Sequence, residues 1–293
     1  MVRQWGCLFF FSWVSLASAG SPWTDIQNLW GRAGLESGKG LLLTFPRSDL
    51  NVMIDGVPLD PAMGLTSQLF FTPREKGTQI QGEFVVLDQE MGRVEARLLQ
   101  QGFTLNEAGS FLEGETPAVK RIVFTAQGNG FGLSQKLKTI LNGTGTPLGP
   151  PEKTTAEASD DDWSLEQSEF GQKGITQGKA LKLNFPDVFS GAADDFDSSV
   201  LIFQPNGDQL MVVGKLLVLP AQAADVLKIL ARKKIIVTSL STEGPPAAPV
   251  VRLRLWGSGS PQELIPVLKK ALSKMESAPA SNEPEENLLT GGF

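Results

Sequence analysis

Residues 23–46 read WTDIQNLWGRAGLESGKGLLLTFP, and residues 163–186 read WSLEQSEFGQKGITQGKALKLNFP. Trp23, Gly31, Gly34, Gly38, Lys39, Leu41, Leu43, Phe45 and Pro46 each recur 140 positions later, ending at Phe185 and Pro186. The register continues outward. Gly82-Glu-Phe-Val-Val-Leu87 returns as Gly214-Lys-Leu-Leu-Val-Leu219, and Leu133, Leu137 and Leu141 return as Leu264, Leu268 and Leu272. Shared composition does not produce an ordered series of this length, so the chain reads as two copies of one unit.

Within the first copy, Asp25–Trp30 reads as a short amphipathic helix. Leu41–Phe45, Leu50–Ile54, Ser67–Thr72 and Ile80–Leu87 alternate as strands do. Asp88 is a candidate N-cap for a helix to about Gln101, with Met91, Val94 and Leu98 on its apolar face and Gly102 just past its end. Phe103–Leu105 and Val119–Phe124 read as strands, and Leu133–Leu141 as a closing helix. The second copy repeats this order. Pro220 opens its middle helix, Ile235–Val237 and Val250–Leu255 supply strands, and a last helix begins near Glu263 so that Pro266 falls in its first turn. Adjacent strands interleaved with helices predict an α+β protein of two tandem units, each a mainly antiparallel sheet with two or three helices.

The boundaries follow from composition. Residues 1–19 have the form of a secretory leader: Arg3, an apolar run from Leu8 to Leu16, and Ala17-Ser-Ala19 before Gly20. That reading places the mature protein in the periplasm or outside the cell. Unit one is expected at 20–146, a Pro-, Ser- and Glu-rich linker at 147–162, unit two at 163–275, and a polar tail at 276–293. The one cysteine, Cys7, lies in the leader.

The formal charge of −6 argues against nucleic acid as a partner, and no segment of the mature chain is apolar enough to span a bilayer. With no histidine, the chain has no Ser-His or Cys-His nucleophile pair, no imidazole base and no histidine metal ligand. The residues give no catalytic group, no cofactor and no metal set. The partner is an unknown small molecule or protein.

Between Pro46 and Gly82 the first copy is eight residues longer, because the offset between copies falls from 140 to 132. The longer stretch holds Arg47, Asp49, Asp55 and Asp60. It reads either as a loop carrying function on a rigid scaffold or as a solvated hairpin turning at Asp55-Gly56. Glu83, Glu90, Glu113 and Glu115 sit near element ends, where carboxylates either converge on a site or stay solvated. Gly128-Asn-Gly130-Phe-Gly132 has the outline of a phosphate-cradling turn but lacks the P-loop lysine.

Pro46-Arg47-x-Asp49, Gly82-Glu83, the helix opening at Glu90, Gly102-Phe-x-Leu105, Gly114-Glu115-x-Pro117 and the closing Gly-rich turn with its Leu-rich helix together resemble the LppY/LpqO-type family of exported bacterial proteins of unknown function. The resemblance runs over both copies. It implies histidines after the middle helix and on the following strand. In this register they fall on Ala108–Phe111 and Leu240–Glu243, and near Val123 and Arg254, and all are replaced here. Arg47, Asp49 and Glu90 match the family pattern, and with Glu83 they form the candidate binding site. The expected function is a non-catalytic exported binding or interaction module. The alternatives are a carboxylate-based hydrolase or metal-binding protein with its site in unit one, and an inactive partner of a histidine-bearing relative.

Overall fold

The computed structural model describes residues 21–37, 40–150, 162–185, 198–231, 235–243 and 249–276. The leader at 1–19, Gly38 and Lys39, the central linker, Pro186, Asp187 and the tail beyond 276 lie outside the described residues.

In the first unit α1 (Thr24–Trp30) leads into β1 (Leu35–Ser37) and β2 (Gly40–Pro46). A small hairpin follows, β3 (Met53–Ile54) and β4 (Val57–Pro58), then a 3-10 turn at Pro61–Met63. The unit continues with β5 (Thr66–Arg74), β6 (Gly77–Leu87), α2 (Asp88–Gln100), β7 (Thr104–Ser110), β8 (Val119–Gly128) and α3 (Gly130–Leu141). The second unit has α4 (Ser164–Phe170), β9 (Ile175–Gln177), β10 (Ala180–Phe185), β11 (Ser199–Asn206) and β12 (Gln209–Val218). It closes with α5 (Pro220–Leu230), β13 (Ile235–Glu243), β14 (Val250–Gly259) and α6 (Pro261–Glu276). The fold is α+β with two antiparallel six-stranded sheets, ordered β1-β2-β5-β6-β8-β7 and β9-β10-β11-β12-β14-β13.

The two units agree in detail. The Gln27 side chain accepts from Gly34 N at 2.8 Å, and Gln167 accepts from Gly174 N at 3.0 Å. Ser67 Oγ accepts from Val85 N at 2.9 Å, and Ser199 Oγ from Leu217 N at 2.9 Å. The edge ladders break register at Leu105/Glu107 in one unit and Val237/Ser239 in the other. These shared irregularities are consistent with two tandem similar units.

Alternation along the strands explains the layering. Leu41, Leu43 and Phe45 of β2, with Phe84 and Val86 of β6, face Trp30, Val94, Leu98 and Leu137 of the helices. Leu181, Leu183, Leu216 and Val218 do the same under α4, α5 and α6. The opposite faces of the two sheets close over a third core that draws on both units, with Val85 and Phe111 on one side and Met211, Val213 and Trp256 on the other. The order is therefore helices, sheet, sheet, helices. Fully burying one large apolar side chain is worth about 1.5–3 kcal/mol, so the shared core holds the units together firmly.

Two expectations shift. The N-cap of α2 is Leu87 rather than Asp88, because the side chain taking the Leu87 N–H belongs to Glu90 (2.8 Å). Helix α6 starts at Pro261, so Pro266 lies inside it rather than in the first turn. Among the described residues no helix is long and apolar enough to cross a membrane.

Candidate functional site

Of the four candidate residues, the structure gathers three. Arg47 follows β2 and is fully buried. Its Nε and Nη2 donate to Asp49 Oδ1 and Oδ2, both at 2.9 Å, a fork-to-carboxylate pair. Its Nη1 donates to Val85 O at 2.8 Å and to Glu90 Oε2 at 3.1 Å. Glu90 is buried as well, and its Oε1 accepts from Gly145 N at 2.8 Å. Gly145 seals the group: a Cβ there would lie 2.9 Å from Asp49 Oδ2 and 3.4 Å from Arg47 Nη2. One guanidinium thus ties the end of β2 to β6, the start of α2 and the chain after α3. Glu90 accepts from Arg47, the Leu87 N–H and the Gly145 N–H, and partly exposed Asp49 gives each oxygen to the Arg47 fork, which suits a strut rather than an acid–base pair.

The longer loop of unit one turns as expected, through Asp55 (φ 50°) and Gly56 (φ 81°), which are exposed, but the loop is not solvated throughout. Val52, Ile54, Leu59, Met63 and Leu65 enter the core between the sheets. Gln204 of β11 reads the loop backbone, accepting from Asp60 N at 2.8 Å and donating to Pro58 O at 2.9 Å. Asp60 Oδ2 accepts from Lys179 N at 3.0 Å. The insertion is a latch between the units.

Glu83 stands apart from Arg47 and joins a different network between the sheets. Its Oε1 accepts from Arg121 Nε of β8 and its Oε2 from Arg254 Nη2 of β14, each at 2.7 Å. Arg254 Nε donates to Glu107 Oε1 at 3.2 Å, and Glu107 also accepts from Ser239 Oγ (2.6 Å) and Ser241 Oγ (3.0 Å). The Arg121 guanidinium lies 4.5 Å over the Phe111 ring. Burial pulls Glu83 upward, but the charges of Arg254 and Arg121 outweigh it and hold the carboxyl well below the usual range. Burial, then the like charge of Arg254, pushes Arg121 down to about 10 against the pull of Glu83 and Glu107.

Glu107, Arg121 and Arg254 were not among the sequence candidates. The signal was available: Arg121 and Arg254 interrupt apolar strands at positions whose neighbours face the helices. A charge there must face the other way, into whatever covers the sheet.

The network borders a cavity of about 80 Å³. Arg121, Arg254, Lys182, Lys215 and Glu83 line its polar part, and Ile202 and Val213 of the second sheet part of its apolar side. Glu115 instead closes its own loop by accepting from Val119 N at 3.0 Å, and Glu113 is exposed. The Gly128–Gly132 turn is the capped start of α3, where Asn129 Oδ1 accepts from Gly132 N at 2.8 Å and Gly130 fits against Thr78. Among the described residues no group of three acidic, histidine or cysteine side chains could hold a metal ion.

Residues 24–143, the first unit, match a family model described as a Domain of Unknown Function (DUF1259). No curated protein matches the chain. Among solved structures, an unknown protein from Galdieria sulphuraria matches at 8% identity over 68% of this chain and 89% of its own, with a TM-score of 0.20. Crystal form I of TP0453 matches at 12% identity over 80% of this chain and 95% of its own, with a TM-score of 0.17. Likenesses that weak carry no argument about function.

Proposed function

We propose that the protein is a non-catalytic binding module, exported after cleavage near Ala19 and built from two descended copies of one domain of the LppY/LpqO type. The observation that carries this reading is the engagement of buried Glu90 by Arg47 and two backbone N–H groups, with both Asp49 oxygens held by the Arg47 fork. A general base must keep a lone pair within reach of a substrate proton. Glu90 points into the protein instead, and Asp49 is turned onto the Arg47 fork.

The resemblance supports the same view from another side. In its register, the family histidines fall within Ala108–Phe111 and Leu240–Glu243 and near Val123 and Arg254, and of these Phe111, Val123, Ser241 and Arg254 lie in or beside the network between the sheets. Val123 pairs with both Glu83 and Glu107 in the strand register. Charge and packing stand where imidazoles would, which favours holding a ligand or a partner over proton transfer.

The test is a turnover assay on the purified chain starting at Gly20, with ester, phosphoester and glycoside substrates. The expected result is no turnover above background, unchanged in Glu90→Gln. Turnover that disappears in Glu90→Gln would restore the carboxylate-enzyme reading.

A further inference from the structure

We infer that the face formed by Phe170 and Phe185 of unit two is a docking surface for the chain's own C-terminal residues, with Leu288 and Leu289 seated against the two rings. The inference goes beyond the binding reading above and does not rest on it. Its ground is a difference between the two units at matched positions.

In unit one the ring pair Trp30 and Phe45, with centroids 4.6 Å apart, is closed off at 1% and 0% exposure. The chain that leaves α3 comes back over this end of the unit. Gly145 N donates to Glu90, Thr146 is buried, and Leu148 packs against the same core. Gly149 O then accepts from Arg32 Nη2, and the Arg32 guanidinium lies 4.5 Å from the centre of the Phe45 ring.

Unit two keeps the rings without this cover. Phe170 and Phe185 stand where Trp30 and Phe45 do, their centroids 5.8 Å apart, and both are only partly buried. Gln172 takes the place of Arg32 and brings no guanidinium. Gln222 takes the place of Glu90, and its Oε1 is buried with no donor among the described residues. Helix α6 explains the difference. The offset that carries Leu141 onto Leu272 carries Gly145 onto Glu276, and α6 is still helical there. The backbone that turns to meet Glu90 in unit one is therefore part of a helix in unit two.

The occupant follows from the rest of the chain. Residues 277–293 leave α6 at the end of the unit where the cover of unit one begins. Their first large apolar side chains are Leu288 and Leu289. Leu288 stands twelve residues past Glu276, a stretch that reaches up to about 40 Å, so distance does not forbid the contact. Glu283, Glu285 and Glu286 precede the leucines, and exposed Lys173 beside Gln172 presents the opposite charge. Leucines laid on the two rings would remove apolar surface from water on both sides, as Leu148 does in unit one.

The experiment uses the full mature chain from Gly20 to Phe293. With Leu288→Ser and Leu289→Ser together, hydrogen exchange should rise severalfold in α4 and β10, while α1 and β2 of unit one keep their protection. A second measurement locates the contact. A chain starting at Gly20 has no cysteine, so introduced pairs are the only thiols. Gln172→Cys with Thr290→Cys is expected to oxidise to a disulfide within one chain, and Thr24→Cys with Thr290→Cys is expected to stay reduced.

Unchanged exchange in α4 and β10 overturns the proposal, as does a pair at 172 and 290 that oxidises no faster than the pair at 24 and 290. A disulfide that joins two chains assigns the face to the C-terminal residues of a second copy and overturns the occupant named here.

Discussion

Glu83 Oε2 and Arg254 Nη2 meet at 2.7 Å across 171 positions of sequence, joining β6 of one sheet to β14 of the other. The same carboxylate holds Arg121 of its own sheet with its other oxygen. Glu83 is therefore the hinge of the polar contact between the units. The apolar core around Val85, Phe111 and Trp256 supplies adhesion without direction, whereas this bond fixes which residues face each other.

Glu83→Gln should lower stability at pH 7 by about 3 kcal/mol, because two buried guanidiniums lose their shared counter-charge. The pH dependence gives the sign. A carboxyl held below its ordinary value stabilises the fold fully above the unfolded value of about 4.3, and that contribution is lost as pH falls through the folded value. Denaturant melts of wild type and Glu83→Gln should differ most near neutrality and converge in strong acid. A gap that stays constant with pH would assign the loss to packing instead.

Arg47→Met should cost about 3–5 kcal/mol, chiefly because it strands buried Glu90 without its cation, with partly exposed Asp49 beside it. The triple variant Arg47→Met, Asp49→Asn, Glu90→Gln should recover part of that loss by removing the stranded charges. A double-mutant cycle between Arg47 and Glu90, read by chemical unfolding, measures the coupling. Additivity of the two single changes would show that the strut does not act as a unit.

The repeat made the fold readable because its anchors are packing residues, and packing obeys local periodicity. Leu41, Leu43 and Phe45 announce a strand with one face buried, and their counterparts announce it again at Leu181, Leu183 and Phe185. The candidate site was legible only in part. Arg47, Asp49 and Glu90 lie 43 positions apart end to end and share a family pattern, so their grouping could be suspected. Glu83 carried no local sign that its partner would be Arg254. That contact depends on how one sheet lies over the other, which no single strand encodes. The longer loop stayed open to two readings for a similar reason: its Asp55-Gly56 turn is a surface signal, while Leu59 and Met63 enter the core shared with the second unit.

Gln204→Ala should loosen the units without unfolding either. Gln204 is 3% exposed, and its side chain bonds to the loop at Pro58 O and Asp60 N. Its loss removes two part-buried hydrogen bonds, to the Asp60 N–H and the Pro58 carbonyl, at about 0.5–1.5 kcal/mol each. Hydrogen exchange should rise in 58–64 and at Lys179, while the helix-covered strands β2 and β10 keep their protection. Uniform acceleration across both sheets would show that the latch is part of a single cooperative core.

Gly34→Ala and Gly174→Ala test whether the two units are equivalent in energy as well as in shape. A Cβ at Gly34 would sit 2.5 Å from Leu41 Cδ1, 2.6 Å from Leu42 O and 2.8 Å from Leu43 Cδ2. At Gly174 the same three contacts fall at 2.4 Å on Leu181, 2.8 Å on Lys182 O and 2.7 Å on Leu183. The leucine tips can give way, but the carbonyl belongs to a paired strand and cannot move without disturbing the ladder. Each substitution should therefore destabilise by about 1–3 kcal/mol, the usual cost of forcing one carbon into a filled core. The sites lie against the leucines of different helix-covered cores, so the two losses should be alike and should add in the double variant. Thermal unfolding of both singles and the double measures this, and a loss confined to one unit would show that the matched geometry is not matched in stability.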